Sequence, residues 1–150
     1  MAYAYTEFDK STMARAQGTN LKISLKKSVE TLRAIRGKKV SSAINFLEEV
    51  ENQRMVVPYF RYNTEMPHKR GKGIAAGGYP RNVARELIKL LKNAQANAKE
   101  QEITGTLYVL SASSRKGTRR YRMGRYMGRL MKSTNVEIIV GVKKQWLREK

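Results

Sequence analysis

A run of eight cationic side chains between two strand-like segments constrains this chain more than any other feature. No Asp or Glu occurs between Glu102 and Glu137. Such a segment repels itself and has little apolar surface to bury, so it forms no core of its own. The flanking segments TLYVLSAS and VEIIVGV have the composition and alternation of β-strands, which predicts a long basic β-hairpin over residues 104–143. The eight cations are Arg115, Lys116, Arg119, Arg120, Arg122, Arg125, Arg129 and Lys132.

The charge balance predicts a polyanionic partner. The 150 residues carry a formal net charge of +19, a field that attracts nucleic acid first and an acidic membrane surface second. The hairpin lacks the apolar face that membrane insertion needs, so no membrane partner is predicted. Arginine presents a planar fork of donors to phosphate. Tyr121 and Tyr126 between the arginines are suited to stack on unpaired bases, and Gly124 lets the backbone approach a phosphate.

The same sequence argues against a metal centre and against catalysis. It has no cysteine and a single histidine, His68, so neither a disulfide framework nor a Cys- or His-rich metal site is predicted. Glu30, Glu86 and Glu137 fall on separate predicted elements without a paired-carboxylate pattern, and Glu137 is predicted to point outward from the last strand. The GKGIAAGG stretch lacks the Walker spacing and a preceding strand. We therefore predict no cofactor, no metal and no enzymatic activity. The chain shows neither a secretory signal nor an apolar run of membrane-spanning length, which favours an intracellular protein.

The remaining segments predict a single α+β domain. Residues 1–19 lack periodicity and are interpreted as an extended arm that only a partner orders. Residues 21–24 alternate as a short strand. Three segments carry helical apolar stripes. The first, 25–36, has Ser24 as N-cap and Gly37 at its end, the second covers 40–52, and the third covers 80–100 with Pro80 at the first helical position. The predicted fold is three helices packed on a three-stranded antiparallel sheet, with the long basic hairpin protruding from it.

Residues 53–79, the basic loop, show no periodicity and contain proline and glycine. A loop of this length in a small domain is usually either functional or disordered. Its aromatic residues Tyr59, Phe60 and Tyr62 favour packing on nucleic acid, and a disordered linker is the alternative. The cations that would make such contacts are Arg61, Lys69, Arg70 and Lys72. Lys26 and Lys27 begin the first predicted helix, where the helix dipole disfavours Lys. They indicate either a phosphate neighbour or a harmless surface pair.

Several segments together resemble a known family. They are GTNLKISLKKSVETLRAIRGKKV, VPYFRYN, GGYPRNVARELIKLLKNAQANA, and MGR followed by NVEIIV. Over residues 18–142 the chain resembles the universal large-subunit ribosomal protein called L twenty-two in bacteria, in its archaeal and eukaryotic form. Its short tail favours an archaeal member. Many relatives have Arg-Gly-Arg where this chain has Met123-Gly124-Arg125, and a second Gly-Arg at Gly128-Arg129 leaves the register of the tip ambiguous.

The resemblance implies a function in the cytoplasm, within the large ribosomal subunit. The family's hairpin threads through large-subunit ribosomal RNA, its tip lines the nascent-peptide exit tunnel beside another ribosomal protein, and the protein supports subunit assembly. The implied partners are ribosomal RNA, neighbouring ribosomal proteins and the nascent polypeptide. The tip would lie within residues 117–127, with tunnel-lining side chains at Arg119, Arg120, Tyr121, Arg122 and Met123. The predicted rRNA contacts are Lys26, Lys27, Arg61, Lys69, Arg70, Lys72, Arg115, Lys116, Arg119, Arg120, Tyr121, Arg122, Gly124, Arg125, Arg129 and Lys132.

One alternative from another class shares the charge and the hairpin. An architectural DNA-binding protein places basic β-ribbon arms in the minor groove. This alternative predicts a dimer, because paired arms bend a duplex efficiently, and similar affinity for any DNA duplex.

Overall fold

A computed structural model describes residues 8–125 and 128–142 of the chain. Within them, three helices pack on a three-stranded antiparallel sheet, which confirms the predicted α+β class. The predictions for residues 1–7, for Tyr126 and for the end of the hairpin at residue 143 lie outside the described residues. The elements in chain order are β1 (Met13–Leu21), α1 (Leu25–Ile35), α2 (Val40–Glu51), β2 (Val57–Pro58), β3 (Gly77–Gly78), α3 (Arg81–Glu100), β4 (Leu107–Lys116) and β5 (Thr134–Val142).

The last strand, β5, is the centre of the sheet. It pairs antiparallel with β1 on one side and with β4 on the other, so that Ala16 and Ala112 both lie opposite Ile138. Because side chains alternate between the two faces of a strand, Val136 and Val140 share the face of Ile138. All three belong to the hydrophobic core that lies between the sheet and the helices. The apolar run of β5 is therefore explained by its central position.

Glu137 points outward from β5 as predicted, but its side chain is buried. It lies on the sheet face opposite the core, as alternation requires, but it is only 7% exposed. A central strand is flanked on both sides, and here Gln17 of β1 and Ser113 of β4 lie directly opposite Glu137. Glu137 therefore points away from the core as predicted, but its burial was not predicted, because the pattern of one strand does not reveal its neighbours.

The first strand begins earlier than predicted. The sequence indicated a strand over 21–24 after an arm over 1–19, whereas residues 13–19 already belong to β1. The inward side chains of β1 are those of Ala14 and Ala16, with Gly18 next in the series, and all three positions are buried. Residues this small give no apolar alternation in the sequence. Small residues are needed at these positions because α3 packs closely against β1. A Cβ at Gly18 would lie 3.2 Å from Cδ1 of Leu90.

The helices begin and end within one residue of their predicted bounds. The predicted stripe of α3 is core, with its Val, Leu and Ala side chains buried. Pro80 precedes the first helical residue instead of occupying it, and the side chain of Ser24 makes no capping hydrogen bond. The backbone carbonyl of Ser24 accepts a hydrogen bond from the hydroxyl of Ser28 at 2.9 Å. Gly37 ends α1 with φ of +80°, a conformation that favours glycine.

The basic loop is organised around a short strand pair that the sequence did not predict. β2 and β3 pair antiparallel, with Val57 opposite Gly78 and Pro58 opposite Gly77. Val57 is fully buried and Tyr59 is 5% exposed. Gly78 leaves room for that tyrosine, because a Cβ there would lie 3.3 Å from Tyr59 Cε2. This part of the loop therefore packs against the rest of the domain, and its packing on nucleic acid stays a prediction.

Candidate nucleic-acid interface

The predicted strand pair is present, and its strands extend towards the arginine-rich connection, residues 117–133. Beyond β4 and β5 the two sides still pair, with Tyr121 opposite Leu130. The Arg122 N–H donates to the Arg129 carbonyl and the Met131 N–H donates to the Arg120 carbonyl, both at 2.8 Å. This pattern makes Tyr121 and Leu130 a non-hydrogen-bonded pair, in which side chains lie close together. How far the hairpin projects from the domain stays a prediction.

Within residues 118–125 and 128–132 of the arginine-rich connection, the side chains face solvent. Tyr121 is 65% exposed and Met123 92% exposed. Gly124 adopts φ of +86°, a conformation that favours glycine, and it lies within the range 117–127 predicted to hold the tip. A paired backbone that carries this many exposed cations places several donors on one segment, an arrangement suited to contacts with successive phosphates.

A polar cluster at the base of the connection fixes its start, and the sequence did not reveal it. The Asn20 side-chain carbonyl accepts the Thr118 N–H at 3.0 Å and the Ser133 hydroxyl at 3.1 Å. The Asn20 N–H donates to Asn135 Oδ1 at 2.7 Å. Gly117 fits because it has no side chain, since a Cβ there would collide with Ser133 Oγ and lie 2.8 Å from Asn20 Oδ1. We call these residues the Asn20 cluster.

The start of α1 and the start of α3 face each other across a cleft of about 340 Å³. Two predicted residues, Lys27 and Lys132, line it together with Lys22 and Arg81, which the sequence reading missed. No described acid lies within ion-pair distance of these four side chains. Neither helix has an acid in its first turn or a side-chain cap. Positive side chains and helix N-termini together make this cationic cleft attractive to anions.

The basic loop is held against α1 by a buried acid. The Glu30 carboxylate, 1% exposed, accepts the backbone N–H groups of Phe60 at 3.1 Å and of Arg61 and Tyr62 at 2.9 Å each. Three backbone donors satisfy the charge that burial would otherwise penalise. Burial, together with the negative charge of Glu30, raises the pKa of Tyr59 to about 12. Glu30 thus has a structural role that the sequence did not assign.

The predicted contact residues are exposed, except Lys69, which is half-buried. Lys26 and Arg61 converge on Tyr62, at 5.7 and 5.4 Å from its ring centroid, and Lys69 lies 5.3 Å from the ring of Tyr79. The exposed cations therefore fall into three groups, which lie on the arginine-rich connection, in the cationic cleft and on the basic loop. Acidic side chains concentrate elsewhere, on α2 and α3, where Glu51 pairs with Arg85 and Glu86 with Lys89.

Neither a metal site nor a membrane span is found in the part of the chain that the structure describes. No three His, Cys, Asp or Glu side chains there are grouped so that they could hold a metal ion. No described helix is both long and apolar enough to cross a bilayer. A small α+β domain with exposed cations on a strand pair, a cleft and a loop defines the class: a strongly basic domain of the kind suited to bind nucleic acid.

Comparison with known proteins identifies the family. Residues 16–141 match the family described as Ribosomal protein L22p/L17e. The chain is 35% identical over 148 residues to the large ribosomal subunit protein uL22 of Archaeoglobus fulgidus, covering 94% of this chain and 96% of that protein. It is 38% identical over 126 residues to uL22 of Methanococcus aeolicus, with 82% of each chain covered. It is also 38% identical over 128 residues to uL22 of Methanothrix thermoacetophila, covering 83% of this chain and 84% of that protein.

The chain belongs to the ribosomal protein L22p/L17e family. The resemblance found in the sequence is therefore confirmed, and the archaeal relatives agree with the predicted branch. Members of this family are structural proteins of the ribosome, which confirms the prediction that the chain is not an enzyme.

Proposed function

We propose that this chain is a structural constituent of the large ribosomal subunit in the cytoplasm and binds large-subunit ribosomal RNA. The arginine-rich connection carries the proposal. It holds exposed cations on a paired backbone, and no acid lies between Glu102 and Glu137 to compete for them. The names of the archaeal relatives support the assignment to the large subunit.

Binding works by charge neutralisation and wedging. Each phosphate that meets an Arg or Lys releases condensed counterions, so affinity falls steeply with salt. The cationic cleft adds Lys22 and Arg81 to the predicted contacts. Because the connection, the cleft and the basic loop together draw on several elements, one copy of the protein can contact more than one RNA segment. This supports a role in subunit assembly.

The connection also lines the nascent-peptide exit tunnel, with neighbouring ribosomal proteins close by. Met123 and Tyr121 support this part of the proposal, because they expose apolar surface at the far end of a strand pair. Arg119, Arg120 and Arg122 would hold the wall of RNA around them. An emerging polypeptide would then pass a surface with apolar and cationic side chains.

Gradient sedimentation of a native lysate tests the assignment, with the protein followed by mass spectrometry. We expect stoichiometric sedimentation with the large subunit that survives a moderate salt wash. Recovery with nuclease-sensitive chromatin would contradict the proposal and favour the architectural DNA-binding alternative.

A charge-matched pair of variants tests the role of the connection. We expect replacement of Arg119, Arg120, Arg122 and Arg125 by Ala to preserve helical circular dichroism and to weaken binding to large-subunit RNA. The slope of log affinity against log salt concentration should become shallower by about 3, because each of the four lost phosphate contacts contributes about 0.7–0.9. The control removes the same charge from the acid-rich side, at Arg85, Lys89, Lys92 and Lys99 of α3, and should leave the slope nearly unchanged. Equal effects in both variants would contradict a specific role for the connection.

A further inference from the structure

Phe60 is an exposed aromatic residue next to a buried one. Its side chain is 52% exposed, whereas the adjacent Tyr59 is 5% exposed. Both belong to the basic loop, just after β2. The Tyr59 N–H donates to the Ala76 carbonyl at 2.9 Å, which ties this part of the loop to the chain on the other side. The exposure of Phe60 is therefore a property of a packed segment.

Glu30 fixes the backbone that carries this ring. Its carboxylate accepts three consecutive N–H groups, those of Phe60, Arg61 and Tyr62. Hydrogen bonds to a charged acceptor are about twice as strong as neutral ones. Because the backbone is held before any partner arrives, a ligand of the Phe60 ring does not have to order the loop, which favours affinity.

Cations lie over two aromatic rings of this segment, those of Phe60 and Tyr62. The Arg33 guanidinium carbon lies 4.6 Å from the centroid of Phe60, and Lys26 and Arg61 lie near the ring of Tyr62. Lys26, Glu30 and Arg33 are spaced by four and three residues on α1, so they share one face of that helix. On this face, one cation lies on each side of the acid that anchors the loop.

A hollow of about 380 Å³ adjoins the ring. Phe60 forms one side, and the others come from Pro58, Tyr59 and the segment 73–76. The lining is mainly apolar, and Asn63 adds an amide that can both donate and accept. Apolar walls with a few polar groups are typical of sites for flat organic ligands. They are unsuited to a bare phosphate, which needs donors.

We propose that Phe60, Arg33 and this hollow receive one unpaired base of a single-stranded RNA segment. The base stacks on the exposed ring, its edge meets Asn63, and the adjoining phosphates meet Arg33 and Arg61. Aromatic side chains bordered by cations are the common arrangement for single-stranded RNA. The surrounding positive charge selects a polyanion over the apolar side chain of another protein. The proposal rests on the proposed RNA-binding function and adds a stacking site distinct from the arginine-rich connection.

Ultraviolet crosslinking locates the contact. The full-length chain is irradiated with a short uridine-rich single strand and digested with trypsin, which releases residues 55–61 as one peptide. We expect a nucleotide adduct on Phe60. The adduct should persist when Arg119, Arg120, Arg122 and Arg125 are replaced by Ala, because the connection is not part of the site. Adducts confined to other peptides would overturn the proposal.

Affinity for the same strand tests stacking itself, measured in the variant that lacks the four arginines of the connection. Phe60→Ala should weaken binding about 5- to 150-fold, the range for one lost base stack. Phe60→Trp should retain binding, and the matched control Met55→Ala, which truncates another exposed apolar residue of the loop, should have little effect. Phe60→Leu should lose binding although it stays apolar. Retained affinity for the strand in Phe60→Leu would show that binding does not depend on an aromatic ring and would overturn the stacking site.

The two proposals fail in different ways. Loss of salt-dependent binding to large-subunit RNA in the wild-type chain would contradict the proposed function, whatever happens at Phe60. An intact salt-dependent interaction without a Phe60 adduct and without a Phe60→Ala effect would remove only the stacking site.

Discussion

The side-chain carbonyl of Asn20 accepts the backbone N–H of Thr118 at 3.0 Å, across 98 residues of sequence. The same oxygen accepts the hydroxyl of Ser133 on the returning side of the connection. Asn20 lies where the pairing of β1 with β5 shifts register, and its φ is +52°. Asparagine is one of the few side-chain-bearing residues that tolerate this left-handed conformation. One residue at the end of β1 therefore anchors both sides of the arginine-rich connection.

Removing the Asn20 side chain should loosen the base of the connection. Asn20→Ala loses two accepted hydrogen bonds and places alanine in a left-handed conformation, so we expect a loss of about 1–2 kcal/mol of unfolding free energy. Urea denaturation measures the loss, and amide hydrogen exchange at Thr118 should accelerate. Asn20→Gly separates the two causes, because glycine keeps the backbone without strain and loses only the hydrogen bonds. Unchanged exchange at Thr118 in both variants would show that the bond does not hold the connection.

Two glycines of the connection should respond differently to alanine. A Cβ at Gly117 would collide with Ser133 Oγ and crowd the Asn20 cluster, whereas a Cβ at Gly128 meets no atom within 4 Å. We expect Gly117→Ala to cost about 1–3 kcal/mol, the usual penalty of overpacking. Gly128→Ala is the matched control and should be close to neutral. Thermal unfolding of both variants measures the difference, and equal melting temperatures would argue against a tight cluster.

The elements that sequence reading located best are those with strong apolar periodicity. The stripe of α3 needs only local spacing to be recognised, and its Leu and Val side chains are large enough to show it. The arginine-rich connection was equally visible, because charge density is a property of composition. The strands on either side of it were also predictable, because the sequence changes abruptly from apolar to cationic residues where β4 ends and from cationic to apolar residues where β5 begins.

The features that escaped prediction depend on contacts between distant residues. β1 buries Ala14, Ala16 and Gly18, which give no apolar signal. The structural role of Glu30 was not predicted because its three partners lie about thirty residues away. The cationic cleft joins Lys22 to Arg81 only through the packing of two helix starts. Such relationships depend on tertiary packing, which a local pattern does not contain.

Neutralising Glu30 should destabilise the basic loop. Glu30→Gln keeps the shape of the side chain but offers one carbonyl oxygen and an NH₂ group to three backbone donors. We expect a loss of about 2–4 kcal/mol, because buried donors are left without acceptors. Chemical denaturation measures it, and Glu49→Gln on an exposed helix position is the control. A loss no greater than that of the control would mean that the carboxylate does not anchor the loop.

Tyr59 should make the protein less stable in strong alkali. Its pKa is raised from 10.0 to about 12 in the fold, chiefly by burial and then by Glu30. Between these two values the unfolded chain releases the phenolic proton while the folded chain keeps it, so the unfolding free energy falls as pH rises. The contribution is complete below pH 10 and is lost as pH approaches about 12. Tyr59→Phe should remove this slope, and an unaltered alkaline profile in that variant would assign the slope to other groups.

Lys27 and Arg81 should show opposite effects on stability and on RNA binding. Each lies in the first turn of a helix, where the dipole disfavours a positive side chain, and no described acid pairs with either. Replacing one by Ala should therefore raise the unfolding free energy by about 0.3–1 kcal/mol. If the cationic cleft holds RNA phosphates, each replacement should also make the log–log salt slope shallower by about 0.7–0.9. Lys92→Ala, an exposed position in the interior of α3, is the control and should change neither quantity much. Greater stability with an unchanged salt slope would show that the cleft does not contact RNA, whereas weaker binding in a more stable protein would show that these cations are retained for the ligand.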